Sequence, residues 1–112
     1  MKFIVDRRTW YRGHGSDTSS LLREDGTRCC IGFVAQQCGI PDSAILNRSD
    51  IVEMNYKDDP NCTLFPSWMR DTRNMIGPAY NANDNDQISD AVRETRLKAI
   101  FAEQGDEIEF EN

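Results

Sequence analysis

The residues with the greatest chemical reach stand close together near the front of the chain. In the segment TWYRGHGSDTSS, Arg12 and the single histidine, His14, alternate with Gly13 and Gly15 and lead into a run of hydroxyls. Glycines let backbone N–H groups approach an anion closely. An arginine beside them forms paired hydrogen bonds with a phosphate or carboxylate. The chemistry is anion capture, and the residues that would carry it are Trp10, Tyr11, Arg12, His14 and Ser16, with Trp68 and Arg70 from the middle of the chain as a second contribution. The spacing matches neither the phosphate-binding loop nor the dinucleotide fingerprint. The competing reading is a tight turn of ordinary turn formers, in which Arg12 pairs with a nearby acid and Trp10 anchors the core.

A second set of reactive groups is the four cysteines, Cys29, Cys30, Cys38 and Cys62. They lack the C-x2-C knuckle of a zinc site, and adjacent residues on a helix point about 100° apart, which disfavours joint tetrahedral ligation. No metal or other cofactor is expected. A Cys–His nucleophilic pair would join Cys29 or Cys30 to His14, with Cys29 the less buried by helical phase and so the more reactive thiol. The simpler expectation is that all four are core thiols. The tract NANDNDQISD has the alternating Asn81, Asn83 and Asn85 of a calcium loop. It places Asp86 where that loop needs glycine and Val92 where it needs a bidentate glutamate, so an Asx-rich turn leading into a helix is expected instead.

Composition narrows the partners. The chain has 112 residues, 13 Lys and Arg against 19 Asp and Glu, and a net charge of -6, which excludes a duplex nucleic acid as ligand because phosphate contacts need clustered bases. The length predicts one domain over residues 1–112. Phe3, Ile4 and Val5 are too short a run for a secretion signal, and no segment approaches the roughly 20 apolar residues of a membrane span. A cytoplasmic location with reduced thiols is the expectation, with no membrane partner.

The elements that must position these groups are legible in outline. Residues 2–6 and 106–110 alternate as strands, the second with Ile108 and Phe110 on one face and Glu107 and Glu109 on the other. They are expected to pair in a small antiparallel sheet. Helices are predicted over residues 29–38, stopped by Gly39 and Pro41, and over 89–104, capped by Ser89 and ended by Gly105. The later helix carries two apolar sides, Val92, Ala99 and Ala102 on one and Leu97, Ile100 and Phe101 nearer the other, so it should be covered on both. Residues 41–47 read as a further helical turn opened by Pro41. Residues 48–86, interrupted by Pro60, Pro66, Gly77 and Pro78, read as a long loop region held down by Leu64, Phe65, Trp68 and Met75. The fold class is therefore α+β, a small sheet of the two terminal strands packed against two main helices.

Two resemblances bear on function. The pattern W-Y-R-G, then S-x-L-L-R-x-D-G-x-x-C-C-x-G-F, with I-S-D-A-x-R-E and F-A-x-x-G-x-x-I-x-F at the end, resembles small bacteriophage and prophage proteins. The resemblance brings no activity or catalytic residue with it. It implies an accessory protein in a bacterial host, a non-catalytic binder of a host protein or of a phosphorylated small molecule, acting against host defence. The Y-R-G of Tyr11 to Gly13 with Glu107-x-Glu109 is similar to the arginine and paired-glutamate elements of ADP-ribosyltransferases, which implies a small enzyme as the alternative, beside a Cys/His hydrolase. In that comparison the serine-threonine element, D-T-S-S, follows Arg12 too closely to be a separate strand.

Overall fold

A computed structural model describes residues 1–15, 20–51, 60–70 and 76–112. The two ends of the chain form the sheet: β1 (Lys2–Asp6) pairs with β2 (Glu107–Glu111), with Phe3 opposite Ile108 and Val5 opposite Phe110. Those four side chains are buried, while Lys2 and the glutamates Glu107, Glu109 and Glu111 occupy the other face. The alternation thus does what its period of two requires, one face to the core and one to solvent.

The strands run parallel, which corrects the expected antiparallel pairing. Strand alternation carries no information about direction, and the helix before β2 decides it. Helix α5 (Asp90–Glu103) has 14 residues and so spans about 21 Å. Its first half is fastened to the exit of β1 by a bidentate pair between Arg7 and Glu94, at 2.8 and 2.7 Å. Its far end delivers Asp106 to the Met1 amino group, 3.1 Å away. The chain therefore re-enters the sheet at the starting end of β1, and β2 can only run alongside it.

Helix α1 (Cys30–Gln37) and α5 both end with a glycine in the left-handed region, Gly39 at φ 83° and Gly105 at φ 83°. In each the next residue's N–H reaches back to the carbonyl three positions inside the helix, from Ile40 to Ala35 and from Asp106 to Phe101, both 3.0 Å. Ser89 caps α5 by accepting from the Val92 N–H. Gln37, at the end of α1, closes the free edge of β1: its amide accepts from the Ile4 N–H and donates to the Ile4 carbonyl, at 2.8 and 2.6 Å. A side-chain amide thus takes the place of a further strand and blocks edge pairing.

Between these helices lie α2 (Asp42–Ile45), a 3-10 turn (Pro60–Leu64), α3 (Ser67–Arg70) and α4 (Gly77–Asp84). The expected loop region therefore contains a two-turn helix. Pro78 opens α4 rather than breaking it, since a first-turn proline lacks only an N–H that would be unpaired anyway. Of the expected anchors, Phe65 and Trp68 are buried, Leu64 is exposed, and Met75 lies outside the described residues. One core joins residues from Phe3 to Phe110. Among the described residues no helix is long and apolar enough to cross a membrane.

The tightest packing is at Gly32 of α1, where a Cβ would overlap the Leu21 carbonyl oxygen. Gly32→Ala should therefore cost about 3 kcal/mol or more, or prevent folding outright, measured by urea denaturation followed by circular dichroism. A variant as stable as the parent would refute this packing.

Candidate functional site

The front segment leaves β1 through a turn and lies beside residue 28: Arg28 donates its N–H to the Thr9 carbonyl and Tyr11 its N–H to the Arg28 carbonyl, at 2.9 and 2.7 Å. It then docks on the end of α4 with two backbone bonds, Gly13 N–H to the Asn83 carbonyl at 2.8 Å and Gly15 N–H to the Asp84 carbonyl at 2.7 Å. Both glycines have positive φ, 70° and 62°. A Cβ on Gly13 would come within 2.8 Å of the Arg93 guanidinium, and one on Gly15 within 2.6 Å of the Asp86 carboxylate. The glycines serve this close docking rather than an anion.

Asn83 is the centre of the arrangement. It is fully buried, and its side-chain oxygen accepts from the Trp10 indole N–H at 2.8 Å and from the Cys30 N–H at 2.9 Å. Its amide nitrogen donates to the Tyr11 carbonyl and to Asp84, each at 3.0 Å. Beneath it Arg93, 3% exposed, donates to the carbonyls of Ala82, Asn85 and Ile88, closing the turn between α4 and α5.

The expected site residues divide on this frame. Trp10 is in the core, its ring 4.7 Å from that of Phe110. Arg12 lies over Trp10 at 4.5 Å, donates to the carbonyls of Arg7 and Trp10, and pairs with Asp90 at 3.1 Å. The guanidinium is thereby committed to the fold, and the same pair holds the Asp90 carboxyl below the usual carboxylate range. Trp68 is buried at the far end of β2, edge-on to Phe101 and donating to Asp106 at 2.8 Å. About 13 Å of strand separates it from Phe110, so the structure does not bring the two tryptophans together. Arg70 is exposed at the end of α3, and Ser16 lies outside the described residues.

Tyr11 and His14 are brought together, and they gain a partner the sequence did not single out. Their rings stack at 4.0 Å with 12° between planes, and the Arg23 guanidinium lies 4.1 Å from the Tyr11 ring centre. Van der Waals radii leave no room for both on one face, so Tyr11 is sandwiched, and His14, itself an exposed residue, forms one outer layer. Arg23 is aimed by the turn that follows it: its N–H donates to the Thr27 carbonyl at 2.8 Å, Gly26 takes φ 89°, and Asp25 accepts from the Thr27 N–H and hydroxyl. The Thr27 hydroxyl bond is the main reason the Asp25 carboxyl sits low. A cleft of about 320 Å³ opens here, lined by Ser20, Arg23, Glu24, Asp25 and Asn47. Glu24 is engaged by the Asn47 amide at 3.2 Å, whereas the Arg23 guanidinium has Asp25 only at 4.0 Å and a buried Nε without a hydrogen-bond partner. A serine-leucine-leucine-arginine stretch before a D-G turn was the available signal for Arg23.

The enzymatic elements are placed elsewhere. Cys29 was expected to be the accessible thiol by helical phase, but it sits one residue before α1 and is fully buried, as is Cys30. Burial pushes the Cys29 thiol up to about 12 and Cys30 well up as well, the reverse of an activated nucleophile. Glu109 pairs with Lys2 on the outer face of β2, while Arg12 is held by Asp90. No group of three or more metal-ligating side chains occurs among the described residues. Compared with family models, with curated proteins and with solved structures, the chain matches none.

Two measurements test this account. Asn83→Ala strands the Trp10 and Cys30 N–H groups and should lower stability by about 3 kcal/mol, with a shift in tryptophan emission; a loss under about 1 kcal/mol would remove Asn83 from the centre. The thiol sign runs with pH: Cys29 is neutral in the folded chain up to about 12 but ionises near 9 in the unfolded one, so its contribution is complete below pH 9 and lost as pH rises toward 12. The urea midpoint should fall across that window, and less so in Cys29→Ala.

Proposed function

We propose that this is a small non-catalytic binding protein of bacteriophage type, whose front loop captures a phosphorylated small molecule in the cytoplasm of the bacterial host and so acts against host defence. The observation that carries the reading is the His14–Tyr11–Arg23 stack, whose Arg23 also lines a polar cleft. His14, exposed at the end of the stack, offers its ring to a planar group, and the Arg23 guanidinium, stacked on Tyr11 with Asp25 only at 4.0 Å, offers its terminal donors to an anion. Ser20 and Asn47 line the same cleft with the carboxylates of Glu24 and Asp25, so the ligand that fits carries donors as well as an anionic group. A cleft of about 320 Å³ suits a small molecule better than a protein surface, because the large aromatics that would make a broad hot spot, Trp10 and Trp68, are spent in the core.

A capture protein needs rigidity and no reactive group. Backbone docking through Gly13 and Gly15 supplies the first, and sealed thiols agree with the second.

Native mass spectrometry of the protein purified from a bacterial host, beside the same sample denatured, is the test. A non-covalent mass of nucleotide size is expected, recovered chemically unchanged after heating, and absent from Arg23→Ala and His14→Ala, both of which should stay folded. A bare mass, or variants that retain the adduct, would overturn the assignment; a converted product would replace capture by catalysis.

A further inference from the structure

Helix α5 carries two apolar sides, and the fold covers only one. Leu97 and Phe101 are fully buried, and the remaining side is open, with Val92 42% exposed and Ala91 and Ala99 exposed beside it. Two adjoining clefts run along this side and share Arg96. One, of about 440 Å³, lies between α4 and α5, with Pro78 and Ala82 and the amides of Asn81 and Asn85 on one wall and Ala99 and Ile100 on the other. The next, of about 400 Å³, continues over Ala91, Val92 and Thr95.

We propose that this channel is a docking groove for an amphipathic helix of a partner protein, carrying a carboxylate opposite Arg96. The shape favours a helix. Ala91, Thr95 and Ala99 recur every four residues on α5 and keep its surface low, so that an incoming backbone can lie close. The Thr95 hydroxyl is given to the Ala91 carbonyl at 2.9 Å, which leaves its methyl to face outward. From Ala91 to Ala99 the floor extends about 12 Å, two helical turns, the reach of apolar anchors at i, i+4 and i+7.

The charge selects the occupant. Among the described residues no Asp or Glu lines either cleft, and Arg96, which forms no ion pair or hydrogen bond with them, is the only charged lining residue. The complement is apolar with an acid near its centre. A second copy of this chain is the competing occupant, and the test below separates the two. The groove uses no residue of the front loop, so this inference stands or falls apart from small-molecule capture.

The probe is a labelled synthetic helix of about 18 residues with leucines at i, i+4 and i+7 and one central glutamate, titrated with the whole protein by fluorescence anisotropy. Micromolar binding is expected. Ala99→Arg, at an exposed helix position, should keep the circular dichroism of the parent and weaken binding more than about tenfold by filling the groove. Arg96→Glu should weaken it about fivefold to tenfold, and a peptide with lysine in place of its glutamate should restore binding to that variant. Absence of binding to the parent, equal binding to Ala99→Arg, or no restoration by the charge exchange would each overturn the proposal. Sedimentation velocity supplies the other occupant: a concentration-dependent dimer of the parent that Ala99→Arg abolishes would assign the groove to a second copy instead.

Discussion

The structure depends on one buried amide. Asn83 satisfies the indole of Trp10, the first N–H of α1 and the carbonyl of Tyr11, so that the front segment, α1 and α4 are fixed relative to one another through a single side chain. In a low-dielectric interior such bonds are strong when complete and costly when one partner is missing. The main-chain carbonyl of the same residue holds Gly13, so one residue both orders the core and sets where the front loop leaves it. Arg93 extends the same logic to α5. It supplies donors to three carbonyls along the turn from α4 to α5, and its own ion partner, Asp90 at 3.5 Å, is also the partner of Arg12. The two buried polar groups therefore form a continuous frame from α1 to the N-terminus of α5.

Parallel pairing of the terminal strands has a consequence for that frame. A parallel pair cannot be closed by a hairpin and needs a crossover, and here the crossover is nearly the whole chain. The sheet cannot form until the helices have packed, which places the strand contacts among the most non-local in the molecule. Two strands alone would be marginal, and it is the covering of their inner face by α5 and of the β1 edge by Gln37 that gives them a stable environment.

How far this was legible in the sequence follows from the range of each signal. Helix ends depend on local chemistry, so Ser89, Gly39 and Gly105 announced α1 and α5 to within a residue or so. The strand faces were likewise local. Strand direction was not, being set by ion pairs of Arg7 with Glu94 and of Met1 with Asp106 across the chain. Helix α4 was hidden because Gly77, Pro78 and two asparagines are poor interior helix residues, and tertiary contacts outweigh propensity there. The periodic trace was Ala79, Ala82 and Asn83 at i, i+3 and i+4, all buried. Within NANDND nothing marks Asn83 from Asn81 or Asn85, yet the first is fully buried and Asn81 is exposed. At the front, Arg12, expected as an anion clamp, is paired with Asp90, whereas Arg23, which the sequence did not single out, lines the cleft.

That exchange has an electrostatic logic. Arg7, Arg12, Arg28 and Arg93 are each tied to a carboxylate of another segment, or of the helix that bears it, and three of them have hydrogen-bonding donors directed at backbone carbonyls or buried without a partner. These four arginines are thus internal fasteners, whereas Lys2, Arg8, Arg48, Arg70, Arg96 and Lys98 are exposed on a surface that acids dominate in number, as on the glutamate-bearing face of β2. Against an acidic field, a cation that remains unpaired at the surface is discriminating, because it repels little and attracts anions only over the short range within which it outweighs its neighbours. Arg23 and Arg96 stand closest to that condition: Arg23 has Asp25 only at 4.0 Å and lines a polar cleft, while Arg96 lines a cleft with Ala82, Ala99, Ile100 and two asparagines. In surroundings of the second kind a carboxylate is rewarded most when it arrives on an apolar surface, since its own desolvation is then offset by apolar burial.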